Sequence, residues 1–349
     1  MTTATKRAKT QVISNGERGF FSSLSMYAGE GDGSYRSGKA TIIDAGTDLD
    51  MFLEMSGADY RVDRVQATHP VTGEIVPSQF FLNRVPGNVV VAPKTVTESY
   101  GAISPTDLAN SVRGLVDEGF LMASDFMLHA KEGITGMAET LAFRIRDDIR
   151  PTIGDESDWG WYLLLTNTHG RGKVRGRICA HRPVCTNQLT GVMRGFDWAI
   201  SHGVTRNDQE RTKRRLIEAA QNWESLGTRL EAVAERLNLF VVTPVSHAEA
   251  AVIVNDVIGI DQRAQESDIS GNKRNRRDAI LLEFSNETRG TFGRTAFDLY
   301  NATTAFTSHG NDLVKSTMDA ASRANSILDG GLGTLETDMV DRLLAVATS

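Results

Sequence analysis

Between Trp159 and Leu189 the chain carries a pattern with a direct chemical meaning. Lys173, Arg175 and Arg177 stand at alternate positions. In an extended segment alternate residues share one face, so three cations would line a single strip. Arg171 precedes them and Arg182 follows, while Trp159, Trp161 and Tyr162 supply aromatic rings on the segment before. Cations neutralise phosphates and rings stack on unpaired bases, which is what a single-stranded nucleic-acid platform requires. Lys213, Arg214 and Arg215, and the run from Lys273 to Arg277, would extend the track. The competing reading of the same residues is an ordinary solvated strand face backed by core tryptophans.

Other chemistries find less support. His181, Cys185 and Asn187 could in principle serve as base, nucleophile and orienting amide. No glycine-rich nucleophile turn precedes Cys185, however, and no catalytic residue is assigned. No two of the seven histidines fall at i, i+4 spacing to make a paired ligand motif with a carboxylate, and Asp147, Asp148, Asp155 and Asp158 form no nuclease signature, so no metal ligand is expected. Cys179 and Cys185, the two cysteines, match neither a zinc knuckle nor a redox pair. No phosphate-binding GxxxxGK[ST] loop occurs, and no cofactor is expected.

The elements that would position these residues are α+β: an antiparallel β-rich region with a packed helix, followed by a mostly helical C-terminal region. Residues 1–40, rich in Gly and Ser, read as a flexible arm, 41–202 as the β-rich region with the basic hairpin, and 203–349 as the helical region. A short helix is expected from a Thr47 cap to Gly57. Strands are expected over Tyr60–Ala67, Ile75–Asn83, Asn88–Ala92, Phe120–His129, Thr135–Ile145, Trp159–Asn167 and Lys173–Val184. Ser104-Pro105-Thr106-Asp107 starts a helix that Gly119 ends, with Leu108, Val112, Leu115 and Val116 on its apolar face. Leu216 to Leu237 keeps helical spacing inside a long helix from Arg206. Further helices are expected after caps at Ser246 and Thr295, over Asp278–Phe284, and over Leu335–Ala347.

Composition sets the bounds. The 349 residues are 40% hydrophobic and 23% charged, which suits a folded chain. The net charge of −6 argues against a uniformly basic nucleic-acid binder. Yet residues 171–215 hold eleven Lys or Arg against three acids, so +8 is concentrated in one stretch and −14 is spread over the rest. No apolar leader or membrane-length run is visible, so a cytoplasmic protein of a bacterial host is expected, with no membrane partner.

Several stretches together resemble a known family: Thr166-Asn-Thr-His-Gly170, then Arg182-Pro-Val-Cys185-Thr-Asn187-Gln-Leu189, then Ser201-His202-Gly203, and finally Asn301-Ala302 with His309. In order and spacing they are similar to the phage/plasmid-like proteins carrying domain of unknown function 932. Its signature positions would here be Arg182, Cys185, Asn187, Leu189, His202, Asn301 and His309. The chain departs from that pattern at Pro183, Gln188 and Gly203. The resemblance implies a setting in phages, plasmids and integrating elements, beside DNA metabolism. In outline the first half is also similar to the single-strand annealing recombinases of phages, a likeness at fold level only. The expectation is therefore a phage-encoded single-stranded DNA binding or annealing protein, working as a homo-oligomeric ring or filament. Arg171, Lys173, Arg175, Arg177, Arg182, Lys213, Arg214 and Arg215 would meet phosphates, and Trp161 or Tyr162 would stack. The alternatives are a counter-defence protein that binds a host protein, and a metal-dependent nuclease or cysteine hydrolase.

Overall fold

Asp48, one residue beyond the expected Thr47, begins the first helix by accepting the Asp50 backbone N–H on its side chain; α1 runs Leu49–Ser56 and buries Leu49, Phe52 and Leu53. The structure is a computed structural model. It describes residues 48–87, 89–92, 94–129, 138–146, 153–154, 160–170, 172–181, 188–189, 198–202, 214, 217–218, 226–286, 294–309 and 333–349. The arm expected over residues 1–40 lies outside them.

Four strands follow as a first antiparallel sheet: β1 (Arg61–Thr68), β2 (Ile75–Val85), β3 (Val89–Val90) and β4 (Val96–Thr97). β4 had no counterpart in the sequence reading; two residues are too few to carry a period. Ser104 then caps α2 (Pro105–Ser111) in a full capping box with Asp107. The expected single helix to Gly119 is broken. Val112 leaves helical geometry at φ −115°, and α3 (Arg113–Asp117) continues after it. The reason is partition of the apolar face: Leu108 and Val112 are buried, whereas Leu115 and Val116 are only partly so.

A second sheet holds β5 (Leu121–His129), β6 (Ala138–Ile145), β7 (Gly160–Thr168), β8 (Lys173–His181), β9 (Gln188–Leu189) and β10 (Trp198–Ser201), with neighbours in the order β10, β8, β7, β6, β5 and β9 pairing with β8. Register pairs Phe143 with Leu163 and Leu163 with Ile178, so one face is a continuous apolar layer. α2 packs against β6 and β7, and α1 and α3 against β5.

The opposite face is unusual for an antiparallel sheet because much of it is buried as well. Ala142, Leu164 and Cys179 are at most 3% exposed. Burial on both faces makes β7 an almost unbroken apolar run instead of an alternating one.

The C-terminal region is helical: α4 (Leu226–Val242), α5 (His247–Ile258), α6 (Gly271–Ser285), α7 (Ala296–His309) and α8 (Gly333–Ala347). α4 extends five residues past the expected Leu237, since Phe240 is fully buried and prolongs the apolar face. The start expected at Arg206 falls among residues not described. Capping boxes form at Ser246 with Glu249 and at Thr295 with Asp298. α7 packs on β9, α4, α6 and α8, and one cluster of buried side chains runs from Leu49 through the sheets to Leu343. The fold class is α+β, antiparallel sheets first and helices after.

Candidate functional site

β8 presents its residues as the alternation requires. Val174 and Ile178 are buried at 1% and 2%. Lys173 is exposed, and Arg175 and Arg177 are half-buried on the other face. Across the strand, Lys173 is paired with Ser201 and Arg175 with Ala199. Both partners on β10 are short and exposed, so the strip runs beside the sheet's edge, from exposed Lys173 to half-buried Arg175. Gly176 makes this margin fit together. A Cβ placed there would come within 2.3 Å of the Trp198 indole, so only glycine lets that ring lie over the strand.

Farther along β8 the strip closes. The Cys179 thiol is pushed well above its ordinary range by burial first and by the Glu336 carboxylate of α8 second, while Arg177 pulls it down. Arg177 is thus within electrostatic reach of the buried thiol. Glu336 also accepts a 2.5 Å hydrogen bond from the Thr307 hydroxyl.

The aromatic part of the expected platform is overturned. Trp161 is completely buried and Tyr162 is 5% exposed, so neither offers a ring face to an unpaired base. Trp161 joins the apolar layer under α2, and Tyr162 lies in the buried part of the opposite face.

The second basic run is also engaged internally. Lys273 donates to Gly259 O at the end of α5. Arg274 donates to Glu266 O and Ile269 O, and Arg277 pairs with Glu266 and Asp278. These residues brace a loop, and Arg276 of the same run is exposed. Arg214 is exposed. Arg171, Arg182, Lys213 and Arg215 lie outside the described residues, as do Cys185 and Asn187.

Behind the turn that opens β8 the structure assembles a polar centre that the sequence reading did not. Glu139 on β6, fully buried, accepts from the Tyr60 hydroxyl at 2.6 Å and from Asn167 Nδ2 at 3.2 Å. His169 Nε2 stands 3.0 Å from the same carboxylate. Asn167 Nδ2 also donates to Ile103 O, just before the α2 cap. His202 places Nδ1 3.0 Å from Gly101 O and Nε2 3.1 Å from Thr168 O. The Tyr100 ring stacks on it at 4.7 Å, and the Gly170 N–H donates to the Tyr100 hydroxyl. Gly170 itself needs the left-handed conformation, φ +79°, to make that approach.

Electrostatics follow from burial. Both tyrosine hydroxyls are held protonated, chiefly by desolvation, with Glu139 adding to the effect. His202 is pulled down to about 4 by burial first and by His169 second; its two carbonyl partners and Glu139 pull the other way and are outweighed. The ring is therefore neutral at neutral pH.

Three donors on one buried carboxylate make a rigid anchor joining β6, β7, the segment before β1 and the segment before α2. A signal for it exists in the sequence. Glu139 is in phase with Leu141, Phe143 and Ile145, and Asn167 with Trp161, Leu163 and Leu165, so each is a polar residue at a core position of its strand. Among the described residues no group of three or more His, Cys, Asp or Glu is placed to hold a metal ion, and no helix is long and apolar enough to cross a membrane.

By its architecture this is an α+β protein in which a buried Glu–His–Asn centre lies beside the turn leading to a cationic strand, β8, next to the edge strand β10. The chain belongs to the family described as domain of unknown function (DUF932), whose model matches residues 93–328, more than half of the chain. No curated protein and no solved structure matches it. Of the signature positions, Leu189 ends β9, His202 lies in the polar centre, Asn301 is buried on α7 and His309 is the last residue of α7.

Proposed function

We propose that this protein binds single-stranded nucleic acid, DNA in the first instance, along the strip of Lys173 and Arg175, with Arg177 at its inner end. The observation that carries the reading is the margin itself: cations at alternate positions of β8 beside the exposed, short Ala199 and Ser201 of β10. Cations two residues apart on a strand repeat about every 7 Å, on the scale of successive phosphates. Short neighbours let a sugar-phosphate backbone lie against them. Because the rings are buried, recognition is of the backbone and not of stacked bases, so little base preference is expected. Such binding suits the replication or recombination of a phage or plasmid element in the bacterial cytoplasm. Annealing would involve several copies of the chain, and no cofactor is required.

The test is salt-dependent binding of oligonucleotides of unrelated sequence. Each phosphate contact on a single strand contributes about 0.7 to the slope of log K against log salt. Replacing Lys173 and Arg175 together by Ala should flatten the slope by roughly 1.4, with similar loss for every sequence. Absence of binding at low salt would refute the proposal. Stoichiometric capture of a host protein by chain that ignores DNA would favour a host-directed role instead.

A further inference from the structure

The segment 168–170 at the end of β7 leads toward the strip, and His202 is built into its fastening. His202 directly follows Ser201, the partner of Lys173. Its imidazole stands between two main-chain carbonyl oxygens, Gly101 O at 3.0 Å and Thr168 O at 3.1 Å, and is 5% exposed. Carbonyls only accept, and a neutral imidazole has a single N–H. One of the two contacts in the neutral ring therefore sets a lone pair against a lone pair. Only the imidazolium donates to both. The Gly101 side is held in any case, because the Gly101 N–H donates to His202 O at 3.2 Å. Where the neutral ring donates from Nδ1 to Gly101 O, the second proton adds a grip on the turn through Thr168 O.

The surroundings decide when that proton enters. The His169 ring, 6.3 Å away, opposes a second charge and Glu139 favours it. Tyr100, stacked on the ring, and Tyr60, bonded to Glu139, carry protonated, neutral hydroxyls. Arg84 lies over the Tyr60 ring, and Lys173 stands across from Ser201. A polyanion on the strip offsets Lys173 and adds negative potential beside the turn, which favours the charged ring.

We infer that His202 is a positioning residue for the strip, and that binding of a phosphate backbone there is coupled to uptake of a proton on its imidazole. The inference rests on the proposed nucleic-acid reading. Coupling is reciprocal: phosphate raises the affinity of His202 for the proton, and the proton, by fastening the turn, raises affinity for phosphate.

The unaltered full chain suffices for the test. Imidazole resonances are followed by NMR across the acid range with and without oligothymidylate, His202 being assigned through its backbone. With the oligonucleotide bound, the His202 midpoint should rise by about one pH unit, a tenfold change in proton affinity. A midpoint that stays put while the oligonucleotide is demonstrably bound overturns the coupling and leaves the binding reading standing. Failure of oligothymidylate to bind at low salt overturns both.

Discussion

Lowering the pH should destabilise this protein through His202 in a defined window. The ring's native proton affinity is depressed from an ordinary value of 6.5 to about 4, with burial as the main cause. Between those two values the unfolded chain binds a proton that the native chain does not. Stability therefore rises with pH across the window, is flat above it with respect to this group, and is fully reduced below about 4. A depression of this size corresponds to about 3 kcal/mol at full development. That is a large part of the roughly 5–15 kcal/mol by which domains are ordinarily stable. The assay is urea denaturation at a series of pH values, reading the midpoint with the slope held constant. Replacing His202 with Gln keeps a donor for one carbonyl and removes the titration. H202Q should lose neutral-pH stability through imperfect geometry, yet its stability should fall less between pH 6.5 and 4 than that of the unaltered chain. Glu249, whose own proton affinity is lowered by the Ser246 cap, contributes acid sensitivity equally to both proteins. Parallel curves for the two proteins through the window would refute the reasoning.

Two other perturbations test the scaffold. Glu139→Ala strands the Tyr60, Asn167 and His169 donors in a dry interior and should cost about 3–5 kcal/mol, measured by the same denaturation; a loss under 1 kcal/mol would mean that water replaces the carboxylate freely. Gly176→Ala forces the Trp198 ring off its seat and should cost about 1–3 kcal/mol, with a change in tryptophan fluorescence as the local readout.

Local features were legible in the sequence where one short stretch holds both partners of an interaction. The capping boxes at Ser104 with Asp107 and Ser246 with Glu249 are of this kind, as are the alternation of β8 and the helical spacing of α4. The fold class followed from those signals. The polar centre was not legible as a unit, because Tyr60, Tyr100, Glu139, Asn167, His169 and His202 are scattered over more than a hundred residues and meet only in the folded chain, Glu139 and Asn167 through sheet register and the others from segments flanking the strands. Trp161 and Tyr162 were misjudged for a related reason. Alternation shows which residues share a face, but it cannot show that α2 packs on the face bearing Trp161 or that the face bearing Tyr162 is buried as well. The Val112 break was equally invisible, since neither Ser111 nor Arg113 beside it is a helix breaker and the apolar spacing runs on past it.

The contact of Trp198 with Gly176 has a bearing on how the chain finds its pairing. β10 is only four residues long, and a strand so short has little to distinguish neighbouring alignments. Sliding it by one residue along β8 would set the indole above Arg175 or Arg177 and turn Ile200 toward water. Sliding it by two would bring Trp198 over Val174 or Ile178, where a branched side chain already fills the space. The gap at Gly176 accepts the ring at one alignment, so the bulkiest side chain of this short edge strand acts as a key that rejects misaligned pairings before the cations of β8 are brought into line.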